Sequence, residues 1–170
     1  MRPSRRALAW ALVLGLAACR TTKAVEAPGE GFLGALELPG VGPVRYSPAE
    51  LSGQVVLVTF FATWCFPCVA EIPTLQALQR DYGPRGFRVV AVGMDLDGKR
   101  VLAPFAEHYE LNYPVLLASE SIIAGQSAFG PIRSMPMAVI LDRQGRAVSA
   151  WQGVASHEDV AKEVEKALGK

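Results

Sequence analysis

Hydrophobic positions divide the chain into runs without alternation and runs with helical spacing. Val55-Val56-Leu57-Val58-Thr59-Phe60-Phe61 is apolar at six of seven places, which predicts a strand covered on both faces in a parallel sheet. Residues 87–94 (FRVVAVGM) predict a second. Between them Val69, Ile72, Leu75, Leu78, Gln79 and Tyr82 fall near helical spacing. That predicts a helix over 67–82, ended by Gly83-Pro84 and Gly86. Val101, Leu102, Phe105, Ala106 and Tyr109 mark a further helix, with Pro104 inside it as a cause of a kink or a late start.

Weaker patterns complete the chain. Residues 113–118 predict a short strand and 119–129 a helix. Residues 136–141 and 146–152, joined by Asp142-Arg143-Gln144-Gly145, predict an antiparallel hairpin. Ser156-His157-Glu158-Asp159 reads as a capping box for a closing helix whose apolar face is Val160, Val164, Ala167 and Leu168. Residues 32–46 alternate weakly around Pro39-Gly40 and Gly42-Pro43, which predicts a β-hairpin. Ser47-Pro48 opens a helical turn through Leu51. Asp95 and Asp97 follow a strand end and are expected in solvated loop. This order of elements implies an α/β sandwich with a mixed sheet.

The N-terminus follows a different grammar. Arg2, Arg5 and Arg6 precede an apolar stretch, 7–18, too short for a permanent membrane anchor. It ends in Leu16-Ala17-Ala18-Cys19, which resembles the bacterial lipobox. Residues 1–18 are therefore expected to be a lipoprotein signal peptide, with Cys19 lipidated, 19–31 a flexible tether and 32–170 the folded domain. Arg5-Arg6 also resembles a twin-arginine signal, so both export routes stay open. Removing the signal takes away three arginines and no acid, which turns the formal charge of +1 into −2. The chain then lacks the basic footprint of a nucleic-acid binder. Arg20 after Cys19, where Asp would retain a Gram-negative lipoprotein at the inner membrane, leans toward the outer membrane in such an organism.

Chemistry concentrates at Trp64-Cys65-Phe66-Pro67-Cys68, between the first long strand and the first helix. A CxxC there is a redox dithiol or half of a metal site. Zinc needs about four ligands, and beyond the cysteines the chain offers His108 and His157, both at predicted helix ends. Redox exchange needs a thiolate, an exposed attacking sulfur and a second sulfur that resolves the mixed disulfide. Cys65, just before the helix, faces free backbone N–H groups. It is the candidate nucleophile, with Cys68 as the buried resolving thiol. The helix dipole supplies about 0.3–1 kcal/mol, less than one unit of thiol pKa, so direct N–H donors and the Cys68 S–H must supply the rest. Pro67 fixes φ in the first turn.

Phe60-Phe61-Ala62-Thr63-Trp64-Cys65-Phe66-Pro67-Cys68, with Glu71 and Pro73, resembles the thioredoxin superfamily, and within it the membrane-anchored TlpA/ResA-type thiol-disulfide oxidoreductases. Residues 129–136 (FGPIRSMP) resemble that family's cis-proline segment. The resemblance covers 32–170. It implies a thioredoxin-like three-layer α/β/α sandwich, here with the added N-terminal β-hairpin, and a redox-active Cys65–Cys68 disulfide. It also implies a cis Met135–Pro136 peptide that presents the Met135 backbone to a partner chain.

Glu71 matches the family's acidic residue and is the candidate proton carrier for Cys68. Thr59 stands where thioredoxins proper carry a buried aspartate. Trp64, Phe66, Pro67, Met135 and Pro136 are the candidate partner-binding residues. The implied activity is disulfide exchange with exported thiol or disulfide proteins, as a reductant, with cytochrome c maturation as one route. The protein is expected to be a monomer fed by an upstream membrane electron donor, and to need neither metal nor cofactor. The rival readings are a thiol peroxidase of the related fold and a non-catalytic lipoprotein that binds copper or an exported chain.

Overall fold

The computed structural model describes residues 31–169. The expected signal peptide, Cys19 and all but the last residue of the tether lie outside them. Five strands form one sheet in the order β3-β2-β1-β4-β5: β1 Val55–Phe61, β2 Phe87–Gly93, β3 Val115–Leu117, β4 Met137–Leu141 and β5 Ala147–Gln152. β1, β2 and β3 run parallel, β4 runs antiparallel to β1, and β5 runs antiparallel to β4. Every residue of β1 is buried, as expected of a central strand packed on both faces.

The two faces of β1 feed two cores. Val55, Leu57 and Phe61 meet Ile72, Leu75 and Leu78 of α1 (Phe66–Tyr82), Leu102 and Ala106 of α2 (Lys99–His108) and Val160 and Val164 of α4 (His157–Leu168). Val56, Val58 and Phe60 meet Leu36, Leu51, Ile122 and Phe129 on the other side. That layer is built from 3-10 turns at Gly34–Leu36 and Pro48–Leu51, the short α3 (Glu120–Ile123) and the segment around Phe129. Fully burying a side chain such as Phe60 stabilises the fold by about 1.5–3 kcal/mol.

Two local expectations need correction. Residues 32–46 form no hairpin. The segment instead joins the outer edge of the sheet: Val41 N–H donates to Val115 O at 2.9 Å, and Leu117 N–H donates to Pro39 O at 2.9 Å. Pro39 and Pro43 have no N–H to offer a ladder, and the segment bonds to β3, with the Val41 N–H as donor and Pro39 O as acceptor, rather than to itself. The helix expected over 119–129 stops at Ile123. Gly125 takes a left-handed φ of 71°, and a Cβ there would sit 2.8 Å from the Pro131 backbone. α2, by contrast, runs through Pro104 without a break.

Candidate active site

The reactive turn is the four-residue passage from β1 into α1. Cys65 is the N-cap of α1, and its Sγ accepts the Cys68 N–H at 3.3 Å. Cys65 N–H donates to Ala62 O at 3.0 Å. Cys65 and Cys68 are joined as a disulfide. Both are 5% exposed, so in this form the expected difference in cover between attacking and resolving sulfur is absent. What separates them is position: one caps the helix, and the other lies in its first turn and lines a small, mostly apolar cavity that also holds Glu71.

That cavity of about 10 Å³ is lined by Thr59, Cys68, Glu71 and Tyr113 among apolar neighbours, and is at the lower limit for one water. Glu71 is only 2% exposed. Its carboxyl accepts the Ala155 N–H at 3.4 Å. Burial pushes it above the usual carboxylate range, with the Ala155 N–H pulling the other way. Burial, and then the nearby Glu71, likewise raise the Tyr113 phenol.

The rim is apolar. Trp64 is 70% exposed and Phe66 87%, while Pro67 is exposed in the first turn of α1. The Met135–Pro136 peptide is cis. Because Met137 pairs with Phe60, that peptide arrives at the end of β1 from which the Cys65 turn departs. Met135 packs against the core cluster that contains both cysteines. The structure therefore brings Trp64, Cys65, Phe66, Pro67, Cys68, Glu71, Met135 and Pro136 to one end of the sheet.

Two residues of the site are not legible from the sequence. Asp97 is exposed, as expected of a solvated loop. Asp95 is buried, and its carboxylate binds Thr63. The available signal was the parallel register: Phe61 pairs with Gly93, so Thr63 and Asp95 each stand two residues past that pair. Tyr113, read only as a strand residue, lines the cavity beneath Cys68.

The sequence profile of the AhpC/TSA family matches residues 35–162. The thiol-disulfide oxidoreductase ResA of Bacillus cereus is 28% identical over 111 residues, 65% of this chain and 62% of that protein. The thioredoxin-like protein YneN of Bacillus subtilis is 36% identical over 104 residues, 59% of this chain and 58% of that one. The matches thus span about three fifths of these relatives' lengths. The crystal structure of a thiol:disulfide interchange protein of the thioredoxin family from Chlorobium tepidum superposes with a TM-score of 0.64. It is 31% identical and covers 73% of this chain and 86% of its own. The fold is thioredoxin-like.

Proposed function

The chain belongs to the AhpC/TSA family, and from that premise we propose that it is an exported, membrane-anchored thiol-disulfide oxidoreductase acting as a reductant of partner proteins. The observation that carries the reading is the Cys65–Cys68 disulfide at the N-terminus of α1, with the buried Glu71 lining the same cavity as Cys68. In the dithiol form the Cys65 thiolate attacks one sulfur of a partner disulfide and expels the other as a thiolate. Cys68 then loses its proton and attacks Cys65, which releases the partner's second thiol and forms the Cys65–Cys68 bond. Two electrons pass to the partner. Glu71, poised for protonation by burial, takes the Cys68 proton and returns it on reduction. The apolar rim of Trp64, Phe66 and Pro67, with the Met135 backbone before Pro136, receives the partner segment.

The N-terminal pattern supports export, lipidation at Cys19 and a short tether, 19–31. Among the described residues no helix is long and apolar enough to cross a membrane. An upstream donor in the membrane regenerates the dithiol, and exported thiol or disulfide proteins, cytochrome c maturation among their routes, receive the electrons. The domain works as a monomer. Arg20 after the lipid position favours the outer membrane in a Gram-negative cell.

The test is exchange by the reduced chain with a protein disulfide. The reading expects one Cys65–Cys68 disulfide formed per partner disulfide opened, and a trapped mixed disulfide through Cys65 in the Cys68→Ser variant. Consumption of peroxide with a Cys65 sulfenic acid, and no exchange, would replace it with the peroxidase reading.

A further inference from the structure

In the passage from β1 to α1, the Cys65 N–H donates within the turn to Ala62 O, whereas the Thr63 N–H is taken by a side chain from beyond β2. Asp95 takes it with both carboxylate oxygens, at 3.0 and 3.2 Å, and also accepts the Thr63 hydroxyl at 2.6 Å. The clamp is itself held. Met94 N–H donates to Phe61 O at 2.8 Å, and Gly98 N–H donates to Asp95 O at 3.0 Å. Asp95 is 7% exposed, and among the described residues no lysine or arginine pairs with it. A buried acid without a cation, tied two residues before the reactive Cys65, exceeds what a loop closure requires.

We infer that Asp95 is a positioning residue that biases the Cys65–Cys68 couple toward the disulfide, which makes the dithiol the stronger reductant. The inference rests on the exchange activity proposed above. Two effects act in the same direction. Fixing Thr63 restricts the turn before the disulfide closes, so less freedom is lost on closure. The negative charge of Asp95, hydrogen-bonded to Thr63 but paired with no cation among the described residues, lies near the turn and opposes formation of a thiolate there, which disfavours the reduced form.

Equilibration against glutathione tests it, on wild type and on Asp95→Asn, Thr63→Val and Thr63→Ser. Asp95→Asn is expected to move the equilibrium about tenfold toward the dithiol, about 30 mV for a two-electron couple. Thr63→Val, which loses the hydroxyl donor alone, moves it the same way by less. Thr63→Ser keeps both donors and stays with the wild type. If Asp95→Asn does not fold, Thr63→Val against Thr63→Ser decides the matter. Equilibria within twofold of wild type in every folded variant, with oxidised and reduced forms losing equal melting temperature, would make the clamp merely structural and overturn the inference. A wild type without any reversible couple would overturn the functional reading as well, and so is told apart from failure of the clamp alone.

Discussion

Two carboxyl groups lie almost out of water near opposite ends of β1, and their environments push them in opposite directions. Asp142 follows β4, whose Leu141 pairs with Val56. It accepts the Arg146 Nε–H at 2.9 Å and the backbone N–H groups of Gln144 and Arg146 at 2.9 and 3.0 Å. The Arg146 side chain, followed by these backbone donors, holds its carboxyl below the usual range. Glu71, by the cavity at the other end, has a single long hydrogen bond, and burial raises it. The first arrangement keeps an ion ionised and closes a turn. The second raises a carboxyl that lines the same cavity as Cys68, the basis of its proposed part in moving the Cys68 proton. Burial alone does not mark a functional acid; the role proposed for Glu71 rests on burial offset by one long hydrogen bond, in a cavity it lines together with Cys68.

The largest test of this contrast replaces the sulfurs. Cys65→Ser/Cys68→Ser is expected to abolish exchange with a protein disulfide, while Asp142→Asn keeps the rate within about twofold, since it touches no reacting group. A slow Asp142→Asn enzyme would break the contrast between the two ends.

Next comes Glu71→Gln. Exchange should slow by about a hundredfold at neutral pH, the low end for a lost proton carrier, and its pH profile should flatten. Stability should move the other way. A carboxyl raised by folding contributes most below its ordinary value, and that contribution is lost as pH rises through the raised one. Glu71→Gln is therefore expected to melt higher than wild type at neutral pH and to converge with it in acid. A neutral-pH loss of stability would contradict the account of Glu71.

A smaller effect is expected at the rim. Phe66→Ser should leave melting within about 0.5 kcal/mol of wild type, because the ring is in solvent. It should slow exchange with a protein partner several-fold more than exchange with a small disulfide. Equal slowing of both would place Phe66 in the chemistry rather than in recognition. The smallest functional effect belongs to the far turn. Asp142→Ala should cost about 1–2 kcal/mol of stability at neutral pH through its lost hydrogen bonds. The sign with pH is opposite to that of Glu71: a depressed carboxyl contributes above its ordinary value, and the contribution disappears as pH falls through the depressed one.

What the sequence revealed follows the range of the interactions. Val55–Phe61 declares itself a central strand because its whole length is apolar. The Cys65 turn is legible because the strand end at Phe61, the N-cap at Cys65 and Pro67 lie close together in the chain. The fate of 32–46 depends on Val115 and Leu117, far along the chain, so local alternation suggested a hairpin that the proline pattern cannot sustain. The stop at Gly125 comes from the Pro131 backbone lying against it, which no spacing of apolar residues records. Asp95 read as loop because its partner, Thr63, lies 32 positions away and becomes visible only once β1 and β2 are set in parallel register.

The central claim is that the turn at Cys65 and Cys68 is a reversible reducing couple. Its reduction potential, measured by equilibrating the purified domain with glutathione, tests that most directly. The account predicts a two-electron couple near the strongly reducing value of about −270 mV, whereas a potential near about −120 mV, or no reversible couple at any ratio, would contradict it.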